Sequence, residues 1–243
     1  HFFSVSYSAT GDLQWANSLA GTSNSRLVDL NVDNQGNVLL GGRFNGSLDM
    51  DPGVGSIVET SVGNIDGFLV KLDNQGNYIN HRIATGTANT EVHEIGVDEN
   101  DSIVISISYT GDVTLGTQWG LGGSQTETTV GLHDVMLVKL NNNLDASWYK
   151  TLGGANATGS DYIYDIELTG SNIYAGFICN SGQFDFDPSN SLELSGNGDY
   201  DVYTAVYSAN GDLIDAVGIG GAGRDFLGAF DISNDGRIAT GGY

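Results

Sequence analysis

The chain has 243 residues, and its 30 acidic side chains against 8 basic ones give a formal charge of −22 and a pI near 4.1. That balance excludes a nucleic-acid binder, which needs a basic footprint, and argues against docking on anionic lipid. A hydrophobic share of 40% supports a real core, no run of 18 apolar residues is present, and the lone Cys179 forbids an internal disulfide or a cysteine-based zinc site.

Read in chain order, two families of segments alternate. The first is FSVSYSATGDLQW from Phe3, followed by LNVDNQGNVLLGGRF of the second family from Leu30. FLVKLDNQGNYIN from Phe68 and IGVDENDSIVISISY from Ile95 repeat the pair, and MLVKLNNNLDASW from Met136 and IELTGSNIYAGFI from Ile166 repeat it again. YTAVYSANGDLID from Tyr203 and FDISNDGRIATGGY from Phe230 close the series. Turn positions Gly11, Gly76, Leu144 and Gly211 of the first family lie 65, 68 and 67 residues apart, a period that signals a repeat architecture.

Each segment reads as a β-hairpin. Phe68, Val70 and Leu72 alternate with Leu69 and Lys71, the period of two that a strand requires. Tetrads such as DNQG and ANGD supply the turn: Asp or Asn bonds nearby backbone N–H groups, and Gly takes a left-handed conformation without a Cβ penalty. Leu144 stands where Gly is expected, so Asn143 is expected to carry the positive φ. The third copy of the second family has lost one turn residue. No stretch of ten residues shows a helical period.

Two hairpins per repeat make four strands, the content of a propeller blade. The expected fold is an all-β propeller of four repeats of about 65 residues, at roughly 3–67, 68–135, 136–202 and 203–243. Pairing of the last hairpin with the first would close four blades; the alternative is a segment of a larger propeller. A β-solenoid or a string of sandwiches fits less well. The opening at His1, with neither Met nor a signal peptide, reads as a mature or excised piece of a longer chain.

The strings GFLVKLDNQGN, VDNQGNVLLGGRF and FDFDP resemble the bacterial β-propeller repeat called SBBP, and the long inserts resemble secreted proteins of Bacteroidetes. The likeness spans all four repeats. Asn80 and Asp215 depart from it where the other copies have Trp15 and Trp148. Ser25 and Thr90 depart from it where later copies have Asp161 and Asp225. The resemblance implies an extracellular or cell-surface repeat protein, often part of an adhesin-like chain, and no single chemistry.

SLDMDPG (47–53) and QFDFDPS (183–189) place Asp49, Asp51, Asp185 and Asp187 in equivalent inserts. Alternating carboxylates on an extended segment could hold Ca²⁺; the plainer role is a turn, since Asp before Pro starts turns readily. Asp33, Asp73 and Asp98 head hairpin turns rather than calcium loops, lacking the 12-residue loop and its terminal Glu. Trp119, in a Gly-rich insert, is the candidate exposed ligand contact, whereas Trp15 and Trp148 suit packing between blades. Tyr162 and Tyr164 suit core and rim. His1, His81, His93 and His133 lack metal-type spacing, His81 reads as a solvated strand residue, and Cys179 as a small buried one. The sequons at Asn45 and Asn156 matter only in a eukaryotic secretory setting.

Three functions follow as expectations. The first is a non-enzymatic extracellular module, a structural or adhesive scaffold for protein or glycan partners, stabilised by Ca²⁺ if the inserts hold it. The second is a carbohydrate-active lyase or hydrolase with a carboxylate, Tyr or His at the propeller centre, which a residue set breaking the repeat symmetry would favour. The third is a lectin with equivalent sites in each blade.

Overall fold

A computed structural model describes residues 2–154, 159–180, 182–187, 192–233 and 235–243, with backbone only for 22–24. The sequon at Asn156 and the Pro188–Ser189 end of the second acidic insert lie outside them. No α-helix occurs among the described residues; every regular element is a strand, save one 3₁₀ turn at Thr117–Trp119.

The chain opens with a two-stranded hairpin, β1 (Phe2–Tyr7) and β2 (Leu13–Leu19). Then come β3 (Gly21–Val32), β4 (Val38–Asp49), β5 (Val58–Thr60), β6 (Asp66–Leu72) and β7 (Tyr78–Gly86), whose main path is the four-stranded order β3-β4-β6-β7. β8 (Asn89–Val97), β9 (Ile103–Thr110), β10 (Asp112–Leu115), β11 (Gln125–Thr128), β12 (Asp134–Leu140) and β13 (Ala146–Gly154) follow, and β8-β9-β12-β13 form the second such sheet. β14 (Asp161–Thr169), β15 (Asn172–Cys179), β16 (Gln183–Asp185), β17 (Glu193–Ser195), β18 (Asp201–Ser208) and β19 (Leu213–Ile219) give the third, β14-β15-β18-β19. A last hairpin, β20 (Leu227–Ile232) and β21 (Ile238–Gly242), completes the chain.

All strand pairs named here are antiparallel, and each four-stranded sheet joins a second-family hairpin to the first-family hairpin that follows it. Sheet boundaries therefore fall half a repeat away from those of the sequence repeat. Among the described residues, β1–β2 and β20–β21 remain separate two-stranded sheets with no ladder between them. The ring that pairing of first and last hairpins would close is not formed here.

The sheets stack face to face. Phe68, Val70 and Leu72 of β6 pack with Leu19, Phe2 and Trp15 of the first hairpin, while Leu69 on the opposite face enters the layer shared with the second sheet. Met136 and Val138 of β12 look back into that layer, and Val135 and Leu137 look forward into the next. Tyr203 and Ala205 against Val202 and Val206 repeat the division in β18. A central strand flanked by two sheets buries both faces, so the alternation feeds two cores rather than one core and solvent. The first strands of successive sheets touch in order, β3 to β8 to β14 to β20.

The turns share one geometry. Asp33, Asp73, Asp98 and Asn141 each accept, on one side-chain oxygen, the N–H groups two and four residues on; Ser8 and Ser208 do so with a hydroxyl. The fourth residue is left-handed. In the third first-family turn that residue is Leu144 itself, at φ 64°, not Asn143. Its side chain is fully buried, and this burial holds a conformation that costs an L-residue about 1–2 kcal/mol.

Neighbouring sheets are clipped at both ends. At the turn end, the Trp15 indole donates to the Asn74 carbonyl at 3.1 Å and Trp148 to that of Ala209 at 3.1 Å, each ring lying against the turn glycine, Gly76 or Gly211. At the opposite end, single parallel bridges recur at Ile65–Asn89, His133–Ser160 and Tyr200–Arg224. The inserts leave from this second end. β10–β11 crosses to the outer edge of β7, and β16–β17 to that of β13, so each covers the edge of the preceding sheet.

Candidate functional site

The acidic inserts are held together by their own carboxylates. Asp49 accepts the N–H groups of Asp51 (3.1 Å) and Ile57 (2.8 Å) and the Ser56 hydroxyl (2.9 Å). Burial pushes its pKa up, but these hydrogen bonds outweigh that and hold it below the usual value. Asp51 accepts the Gly53 N–H at 2.8 Å, and Asp185 that of Asp187 at 2.9 Å. Asp187 pairs with Lys150 at 3.0 Å. Both oxygens of Asp49 and one each of Asp51 and Asp185 thus accept hydrogen bonds from the insert's own chain, as in a stapled turn. Among the described residues, no three Asp, Glu, His or Cys side chains come together as a metal site.

Trp119 is not an exposed contact. It is 0% exposed, sits in the layer between the first two sheets, and donates to the Ile83 carbonyl at 3.0 Å. The Gly residues around it shape a turn that folds the indole inward, and a buried indole N–H finds an acceptor. His81 is partly buried between the Tyr78 hydroxyl (2.7 Å) and Glu59 (3.0 Å), rather than solvated. Cys179 is buried, and burial raises its thiol pKa far above the ordinary value, so it is an inert core residue.

Two features were not anticipated from the sequence. The first lies along the inner strands. Asp29, Glu94 and Asp165 share one register, next to bulges in β3, β8 and β14. Asp29 reaches across to the next sheet and accepts the Ile95 N–H at 2.8 Å, while Asn31 donates to the Ile95 carbonyl at 2.8 Å. Burial, the largest cause, raises the pKa of all three carboxyls; Asp29 and Asp165 add repulsion at Glu94, and Asp29 adds it at Asp165. His93 bonds Glu94 at 2.9 Å; burial lowers its pKa, but Glu94, Glu91 and Asp29 outweigh that and raise it. The signal in the sequence was an acidic residue four positions before the turn residue in DLNVD, EIGVD and DIELT, at spacings of 65 and 71.

The second is a polar pocket of about 180 Å³ at the insert end, where the first three sheets meet. Arg43 of β4 and Glu91 of β8 form one wall, paired at 2.9 Å. His133 and Tyr162 form another, their rings 5.5 Å apart. The His133 ring also bonds the Ser160 hydroxyl at 3.1 Å, and burial lowers its pKa, leaving it neutral at pH 7. Asn89, Ser108 and Thr110 complete the polar lining from β8 and β9.

The pocket breaks the repeat. The position of Glu91 is Arg26, Tyr162 and Phe226 in the other copies; that of Arg43 is Ser108 and Ile178; that of His133 is Ile65 and Tyr200. The repeated fold therefore imposes none of these residues. The sequence read Tyr162 as core or rim and His133 as unclustered, because the residues that join them are 71 and 119 positions away from Tyr162. No protein-family model matches the chain, and neither does any curated protein sequence.

Proposed function

We propose that the chain is an arc of a β-propeller that serves as a non-enzymatic binding scaffold outside the cell, adhesive or structural, for glycan or protein partners. The observation that carries this reading is the contrast between the two ends of the sheets. Two of the three turn-end joints repeat the same tryptophan-on-glycine contact, whereas the insert end carries a polar pocket whose Arg43, Glu91 and His133 do not recur in the other copies. Variation on a fixed framework is the usual placement of a binding surface. The propeller reading is supported by the order of contacting inner strands, β3, β8, β14 and β20. A charge of −22 keeps such a chain soluble and suits a cation-rich exterior, and the likeness to SBBP repeats agrees with secretion from a bacterium, as in Bacteroidetes. The test is retention of beads carrying the chain on surfaces coated with bacterial and host polysaccharides or glycoproteins. Retention competed away by soluble chain is expected; no retention on any coat overturns the reading.

A second reading, a lyase or glycoside hydrolase, is favoured by one observation, the meeting of a neutral His133 with Tyr162, Arg43 and Glu91 around one pocket. New reducing ends or unsaturated products from a polysaccharide incubated with the chain would favour it over the scaffold.

A further inference from the structure

From the pocket at the insert end we infer that the scaffold holds its partner by one neutral pyranose residue, seated between the Arg43–Glu91 pair and the His133–Tyr162 rings. This rests on the binding-scaffold reading and adds the ligand class and the place.

Size is the first constraint. A cavity of about 180 Å³ equals about six waters at roughly 30 Å³ each, the room of a single sugar ring and too little for an oligosaccharide. The occupant is therefore one residue of a glycan whose remainder leaves through the open side.

The two walls supply what a pyranose needs. Its hydroxyls each donate and accept, and Glu91 accepts while Arg43 donates in a planar fork. Asn89, Ser108 and Thr110 add neutral partners on neighbouring rungs, since Asn89 pairs with Thr110 and Glu91 with Ser108 across β8 and β9. The C–H face of the ring has the tilted pair His133 and Tyr162, 5.5 Å apart, to lie on.

Charge selects neutrality. Arg43 is balanced by Glu91 at 2.9 Å, so no uncompensated cation is on offer. Glu94, Asp29 and Asp165 lie along the same inner strands on a chain of charge −22, so an anionic sugar is repelled. A nearby guanidinium disfavours a metal ion.

The residue pattern gives independent support. At the joint between the third sheet and the last hairpin, the equivalent positions hold Tyr200, Phe226 and Tyr243, which stack on one another, with centroids 5.6 and 5.7 Å apart. There Ser108 and Tyr162 stand where the pocket has Arg43 and Glu91, so the charged wall has no counterpart. Around the second sheet an ion-paired wall and an aromatic wall face one cavity.

The test is saturation-transfer NMR on the chain with glucose, galactose, mannose, fucose and N-acetylglucosamine, and with galacturonate as the anionic probe. Transfer to at least one neutral sugar is expected, weakened about tenfold or more in Glu91→Gln and in Arg43→Met, since a hydrogen bond to a charged group is worth about 1.5–3 kcal/mol. Val54→Ser, at an exposed insert tip, is expected to leave it unchanged. No transfer to any sugar, equal transfer in the two pocket variants, or stronger transfer to galacturonate than to galactose overturns the inference. Circular dichroism of each variant separates loss of binding from loss of fold. Beads that adhere while the pocket takes no sugar would overturn this inference and leave the scaffold reading standing.

Discussion

The two outer turn-end joints and the middle one solve the same problem differently. At the first and third joints a tryptophan lies on a glycine: Trp15 on Gly76, Trp148 on Gly211. At the middle joint both partners change together. Leu144 replaces the glycine, and Asn80 replaces the tryptophan and donates to the Asn143 carbonyl at 2.8 Å. Arg82 follows, donating to the same carbonyl (3.1 Å) and to Asp145 (2.8 Å). A leucine side chain projects where the indole would lie, so two departures that look unrelated in sequence are one exchange of hydrophobic cover for a polar clip.

The largest expected effect comes from the lysines that span these joints. Lys71 pairs with Asp33 at 2.8 Å, both side chains nearly inaccessible, and also bonds the Asn142 carbonyl. Lys71→Ala strands a buried carboxylate and is expected to cost about 3–5 kcal/mol in urea unfolding. Lys139→Ala removes a bond to Ala209 at 3.2 Å and should cost about 0.5–1.5 kcal/mol. Equal losses would show that the Asp33 pair adds nothing.

Next comes the exchange itself. Leu144→Gly empties a buried site at about 2–4 kcal/mol, less about 1 kcal/mol regained from the left-handed backbone. Asn80→Trp alone overpacks at about 1–3 kcal/mol. The double variant should lose at least about 1 kcal/mol less than the sum. Strict additivity in the cycle would separate the two positions.

A smaller contrast isolates the cover over a turn glycine. Gly11 and Gly76 have nearly the same φ, 86° and 83°, but a Cβ on Gly11 meets nothing within 4 Å, whereas on Gly76 it comes within 2.6 Å of the Asn17 side-chain nitrogen and 2.8 Å of the Trp15 ring. Gly11→Ala should cost about 1–2 kcal/mol, and Gly76→Ala about 1–3 kcal/mol beyond that. Matching melting temperatures would mean that Asn17 and Trp15 yield freely.

Acid should act on the buried carboxyls before it reaches the turns. Burial raises the pKa of Asp29, Asp66, Glu94, Asp134 and Asp165, so the folded state takes up their protons first and gains stability as pH falls from 7 toward those raised values. Asp33, Asp49 and Asp73 are lowered, their hydrogen bonds outweighing burial; their contribution is present above 3.8 and is lost as pH falls through the lowered values. A melting temperature that rises on mild acidification and then drops below pH 3.8 is expected; a steady decline from pH 7 would contradict it. The smallest effect concerns calcium. With both Asp49 oxygens already accepting hydrogen bonds, millimolar Ca²⁺ after EDTA should leave the melt unmoved, and a shift abolished by Asp49→Ala would assign the insert to calcium instead.

The hairpins were legible because their causes are local. Alternation along β6 and the first-residue cap with a left-handed fourth residue act within about ten positions, so Asp33, Asp73 and Asp98 read correctly as turn residues. Trp119 did not read correctly. A tryptophan among glycines carries no local sign of whether the loop folds in or out, and the Ile83 carbonyl that receives its N–H lies 36 residues away.

The sequence by itself therefore determined strands, turns, period and charge, since backbone sterics and short-range hydrogen bonds set these within each segment. Tertiary structure decided which hairpins share a sheet, where each insert lays its edge, and that Arg43, Glu91, His133 and Tyr162 meet around one cavity. These outcomes depend on the fit of side chains between stacked sheets, which brings together positions tens of residues apart and leaves no trace in the spacing of any one segment.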